Sequence, residues 1–181
     1  SFCCRRRRGP CRSATGDVEV NGKQKAGVAG VVLASASLIG FVTHWEGTEY
    51  VPYRDIVGVW TVCEGITGKH VIPGKTYTRS ECRALTSGAV EKHGRELLAC
   101  IKVPVEQHVY EALTSWSYNV GSRAACESTL VRMLNAGRPA VEFCAQLLRW
   151  NRAGGKVVRG LTNRRTAEYQ MCVNQPTGQP T

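Results

Sequence analysis

Glu46, Asp55 and Thr61 stand in one turn-rich stretch, "HWEGTEYVPYRDIVGVWTVCEGITG" at residues 44–68, the aspartate nine positions after the glutamate and the threonine six further on. These are residue types for paired acid–base work. A carboxylic acid can hand a proton to a leaving oxygen while a carboxylate, helped by a hydroxyl, holds a water. Leu38, Ile39, Val42 and Trp45 recur at helical spacing, and Gly47 is placed to stop that helix just past Glu46. The Glu46 carboxyl then lies beside the negative end of the helix dipole and next to Trp45, surroundings that favour the protonated acid. Asp55 opens a hairpin and Thr61 lies on its return strand, because 50–68 is rich in Val, Tyr, Trp and Gly. An acid on one element and a water-holding pair on another suit glycosidic cleavage with inversion, for which the two carboxyls stand about 6.5–9.5 Å apart. Spacing alone does not decide this, since a solvated loop with surface acids would read the same way.

The elements that must position these groups are mostly helical. Thr78 and Glu81 in "TRSECRAL" form a capping box, followed by Leu85, Val90, Leu97 and Leu98 at roughly helical spacing. "PVEQHVYEALTSWSYNVG" predicts a helix ending at Gly121, and "STLVRMLNAG" one ending at Gly137. "RPAVEFCAQLLRW" predicts a helix with Pro139 in its first turn and Val141, Cys144 and Leu148 on one face. A loop at Gly154 and Gly155 leads to a last helix, "NRRTAEYQMCV". The fold class is α+β, mostly helical, with a small antiparallel hairpin sheet near the active site.

Composition sets the frame. The chain has 181 residues, enough for one domain with extensions, and a formal net charge of +10. Half of that excess lies in residues 1–25, a basic stretch without apolar periodicity that includes Arg5 to Arg8 and is read as a disordered leader. The arginine run alone would admit a nucleic-acid reading, but no nucleic-acid motif accompanies it and no such partner is expected. Residues 174–181 form a polar tail, leaving 44–173 as the folded catalytic unit.

Residues 26–43 carry no charge and as a helix would span about 27 Å. Ten of these eighteen residues are Ala, Gly, Ser or Thr, so the segment is a weak membrane binder, and the Lys23 and Lys25 that precede it direct the downstream chain outward. It reads as an export segment in one of two forms, a cleaved signal with "ASA" at 34–36 or a weak anchor that can leave the membrane; a buried soluble helix is the alternative. Cys63, Cys82, Cys100, Cys126, Cys144 and Cys172 lack the spacing of a zinc site. In an oxidising compartment they suggest up to three disulfides, among about fifteen connectivities that sequence cannot choose between. No metal and no cofactor is expected.

Glu46, Asp55 and Thr61 with "PYRDIVGVWT" around them, together with "SYNVG" at 117–121, "STLVRMLNAG" at 128–137, "AGGK" at 153–156 and "GLTNRRTAE" at 160–168, resemble the phage-type lysozymes of glycoside hydrolase family 24. The likeness covers roughly 45–172. It implies a lysozyme-like fold and hydrolysis of the β-1,4 bond between N-acetylmuramic acid and N-acetylglucosamine in peptidoglycan by a monomer. Glu46 matches the family's general acid, and Asp55 and Thr61 match the pair associated with the attacking water. Asn163 and Arg164 match a late pair whose arginine lies close to Glu46, and Asn119 is placed on the cleft wall. Residues 26–43 resemble the signal-anchor-release segments of some endolysins, which implies an inner-membrane stage before the periplasm. Two departures stand out: Ile66 replaces a histidine found in many members, and Glu64 is an extra acid near the cleft. A wall-binding module without turnover and a lytic transglycosylase are the alternatives; the latter needs an acid but no water, so Asp55 and Thr61 favour hydrolysis.

Overall fold

Ser35 starts the first helix. Its hydroxyl oxygen accepts from the Leu38 N–H at 3.0 Å, so α1 runs Ala36–Glu46, and Gly47 at φ 73° ends it with its N–H on the Thr43 carbonyl. The computed structural model describes residues 30–55 and 57–174. The expected leader at 1–25, the first part of the export segment and nearly all of the polar tail lie outside the described residues. The later part of that segment forms α1, with Leu38 and Val42 buried against Val90 and Tyr110. Among the described residues no helix is long and apolar enough to cross a membrane.

Three antiparallel strands follow, β1 (Glu49–Arg54), β2 (Trp60–Cys63) and β3 (Ile66–Thr67), in the order β1-β2-β3. Tyr53 pairs with Thr61 and Arg54 with Trp60, and a bulge separates this register from the Glu49–Cys63 pair. Val62, Cys63, Ile66, Val71, Tyr77 and Cys82 form the core of this small lobe. Ile66 is therefore a packing residue of this lobe.

α2 (Arg79–Leu98) leaves the lobe through the expected capping box, with Thr78 Oγ1 accepting from the Glu81 N–H and Glu81 accepting from the Thr78 N–H. Lys75 donates to the same carboxylate and holds Glu81 down at about 2. Gly94 in α2 gives room to α3 (Gln107–Val120): a Cβ there would collide with the Tyr110 hydroxyl, which donates to the Leu33 carbonyl at 2.8 Å. Residues 109–117 of α3 are all buried, which makes it the central helix. Around it lie α4 (Ser122–Cys126), α5 (Thr129–Asn135), α6 (Ala140–Cys144) and α7 (Arg159–Cys172), while β4 (Arg152–Ala153) and β5 (Lys156–Val157) turn through Gly154 and Gly155.

Of the expected face of α6, Val141, Cys144 and Leu148, only Cys144 is buried. Val141 and Leu148 are exposed, whereas Phe143, Cys144 and Leu147 face the core. The helix is short, Pro139 stands before it as its cap, and the chain tightens into a 3-10 helix over Ala145–Arg149, whose three-residue repeat rotates the inward face.

All six body cysteines are paired. Cys63–Cys82 ties the β lobe to α2, Cys100–Cys126 ties the end of α2 to α4, and Cys144–Cys172 ties α6 to α7. With separations of 19, 26 and 28 residues, each bridge constrains the unfolded chain by about 3 kcal/mol in the chain-entropy account.

Candidate active site

Glu46 is the last residue of α1, with a side chain 23 % exposed and its Oε1 2.6 Å from Arg164 Nη1. Arg164 comes from α7 and is itself buried. The rest of its fork is spent inward, Nε on Glu168 Oε1 at 3.1 Å and Nη2 on the Ser115 carbonyl at 3.3 Å. One face of the guanidinium system therefore holds the acid while the other is locked to α3 and α7. This pair joins residues 118 positions apart, and it is where the helical body meets the end of α1.

Asp55 and Thr61 are gathered by one residue of the hairpin, Val59. Asp55 Oδ1 accepts from the Val59 N–H at 2.9 Å and the Val57 N–H at 3.0 Å, and the Asp55 N–H donates to the Val59 carbonyl at 3.0 Å. The Thr61 hydroxyl donates to that same carbonyl at 3.2 Å. Among the described residues no side chain or backbone group donates to Asp55 Oδ2, so half of the carboxylate remains an acceptor for water. Arg54 steadies the turn from outside, its Nη1 on the Gly58 carbonyl at 2.7 Å and its guanidinium over Trp60. The hairpin thus presents a fixed carboxylate and a buried hydroxyl from one rigid turn.

Asn119 is exposed at the end of α3, and its Oδ1 accepts from Arg165 Nη2 at 3.1 Å, which leaves the amide NH2 as its free donor. Asn163 is also exposed, and its side chain makes no hydrogen bond among the described residues. Glu64, expected as an extra acid near the cleft, is buried: Thr48 Oγ1 donates to it at 2.8 Å and Thr86 Oγ1 donates to its second oxygen. It braces the lobe against α2. Glu64 also lies near Cys63 and Cys82, but both sulfurs are bonded to each other and offer no metal ligand.

Trp116 is core, packed edge-on to Trp150, while Tyr118 is only partly buried and donates to the Glu64 carbonyl at 2.8 Å. Burial, and then the charges of Glu46 and Glu64, push the Tyr118 hydroxyl up, so it stays a donor. A hollow of about 520 Å³ runs beside it between β3 and α2, lined by Thr67, His70, Lys92 and His93 among others. His93 is a packing residue, its Nδ1 2.9 Å from Ser122 Oγ and its ring against Tyr118.

Sequence reasoning missed Arg165, Glu168 and Ser115. The signal was present in "NRRTAE", where Arg164 and Arg165 stand four and three residues before Glu168, one helical turn away. Burial raises the Glu168 carboxyl above its ordinary range, against the pull of both guanidiniums, and burial lowers Arg165 to about 10.

A mostly helical body with a small hairpin sheet and an ion-paired glutamate at the end of α1 is in keeping with a lysozyme-like fold. The chain belongs to the phage lysozyme family, whose model matches residues 43–168. It is 46 % identical over 128 residues to the SAR-endolysin of Enterobacteria phage P21, spanning 71 % of this chain and 77 % of that one. It is 42 % identical over 152 residues to the SAR-endolysin of Bacteriophage PS119, spanning 82 % and 90 %. Among solved structures, the endolysin from Escherichia coli O157:H7 phage FAHEc1 superposes with a TM-score of 0.71 at 30 % identity, over 84 % of this chain and 99 % of that one. The activity is that of an endolysin, lysis of the bacterial wall by hydrolysis of peptidoglycan.

Proposed function

We propose that the chain cleaves the β-1,4 bond between N-acetylmuramic acid and N-acetylglucosamine with inversion of configuration. Glu46 gives its proton to the glycosidic oxygen as the bond from that oxygen to the anomeric carbon breaks. A water oriented by Asp55 Oδ2 and the Thr61 oxygen attacks the anomeric carbon from the opposite face and releases its proton to Asp55. Asn119 and Asn163 offer amide groups to the sugar chain at the ends of α3 and α7. Arg164 positions the acid.

The observation that carries this reading is the hairpin. Asp55 and Thr61 are both tied to Val59, so a water held by them occupies one place relative to the backbone. A nucleophilic aspartate would form a covalent glycosyl intermediate and retain configuration, whereas a carboxylate paired with a hydroxyl suits water. The reading extends to delivery: residues 26–43 take the chain to the inner membrane and release it as a monomer into the periplasm, in keeping with the SAR-endolysin relatives.

The test is proton NMR of the anomeric signal in the first minutes of hydrolysis of purified glycan strands. The α-anomer should appear first and then equilibrate. An initial β-anomer would assign Asp55 a covalent role, and a product ending in an anhydro sugar would exclude the water.

A further inference from the structure

The most deeply buried acid, Glu168, takes no direct part in this chemistry. Glu168 lies on α7 one turn beyond Arg164 and is fully enclosed. Its Oε1 accepts from Arg164 Nε at 3.1 Å, from Arg165 Nη2 at 3.3 Å and from the Ser115 hydroxyl at 2.8 Å. Oε2 stands 3.0 Å from Arg165 Nε without an aligned hydrogen bond, a contact of charge alone. Such a group would be costly to bury unless it were matched by opposite charge. Each arginine also reaches outward from this knot, Arg164 to Glu46 and Arg165 to Asn119. A single carboxylate thus anchors both side chains that brace the site from the helical body.

We propose that Glu168 is a positioning residue for the reaction: it fixes Arg164 on Glu46 and Arg165 on Asn119, and its negative charge limits how strongly the two guanidiniums draw the proton from the acid. This rests on the reading of Glu46 as general acid. Four charges are packed together here, two positive and two negative when both glutamates are ionised. Removing Glu168 would leave two cations facing Glu46 and favour its carboxylate; removing Arg165 would favour its acid form. Among the other ionisable groups of this region, Tyr118 on α3 senses the charges of both Glu46 and Glu64, His44 stands two residues before Glu46 on α1, and Asp55 lies on the hairpin. Substitutions at Glu168 and Arg165 leave these groups in place.

The experiment follows the Glu46 carboxyl by carbon-13 NMR titration, with Glu46→Gln to assign the signal, beside the pH dependence of turnover on purified peptidoglycan. Glu168→Gln should move the Glu46 midpoint and the alkaline limb of activity to lower pH by about half a unit, and Arg165→Met should move both upward by a similar amount. A purely structural role would change stability and turnover without opposite shifts. In the double variant, Glu168→Gln with Arg165→Met, the midpoint should return to its original place while turnover stays about tenfold down, because a neutral amide oxygen holds Arg164 Nε less firmly than a carboxylate does. Buried charges removed together are tolerated better than a broken pair, so the double variant decides the matter if a single one does not fold. Folded single variants with an unmoved midpoint, or with shifts of the same sign, would overturn the proposal. So would full turnover in the double variant. If Glu46→Gln lyses at the original rate, the acid reading fails instead, and the NMR midpoints still report whether the charge coupling exists.

Discussion

The two halves of the site are held in opposite ways. At the hairpin, Asp55 and Thr61 are fixed by backbone groups of Val57 and Val59 at an exposed turn. On the helical side, Glu46 is fixed by Arg164, which is buried and locked in turn by Glu168 and Ser115. The difference matches what the proposed reaction asks of each half. A group that holds water needs one oxygen fixed and another open to solvent, which a turn with spare backbone N–H groups can supply. A group that gives a proton needs a defined electrostatic setting, which buried charges supply because water does not screen them. The hairpin should therefore be expendable for stability, and the charge knot should not.

Arg164→Leu should break the contrast most severely. It leaves Glu168 with one cation lost and Glu46 unheld, so unfolding by urea should show a loss of about 3–5 kcal/mol together with lysis near background. A variant as stable as the parent would place the strength of the fold elsewhere. Glu46→Gln removes only the transferable proton, and turnover should fall about a thousandfold with little change in the urea midpoint. Asp55→Asn keeps the Oδ1 acceptor and Thr61→Val keeps the branched shape. Each should lower turnover about a hundredfold, with KM and stability nearly unchanged. A large stability loss in either would mean that the hairpin carries load comparable to the knot.

The smallest effect concerns pH. Burial holds His93 below its ordinary value of 6.5, with Glu96 opposing and Lys92 adding to the shift. The folded state thus prefers the neutral ring, and the unfolded chain binds the proton first as pH falls. Stability from this group is present above 6.5 and declines as the pH drops through the depressed folded value. In His93→Asn, thermal melts should show a shallower fall of stability on the acid side; an unchanged slope would assign that fall to other groups.

Local features of this fold are legible in the sequence because their causes lie within one turn of chain. The capping box at Thr78 and Glu81, the stop at Gly47 and the hairpin carrying Asp55 and Thr61 all depend on residues a few positions apart. The face of α6 is misjudged because a helical repeat extends across a point where the backbone tightens to 3-10, and nothing in "AVEFCAQLLRW" marks that change. That Glu64 is buried and holds the lobe to α2 is not legible locally, because its two hydroxyl partners, Thr48 and Thr86, stand 16 and 22 residues away.

The sequence by itself determined which residue types are available for the proposed chemistry, where α1 stops and puts Glu46 at its end, and that six cysteines of the body are available for pairing. Side-chain chemistry and short-range hydrogen bonds do not depend on the rest of the chain. Only the tertiary structure decided which cysteines pair, which acids are buried, and that Glu168 links the bracing of Glu46 to that of Asn119. Those outcomes depend on elements brought together from distant parts of the chain: the energy of a buried charge or a closed disulfide loop depends on three-dimensional proximity, which residue order does not encode locally.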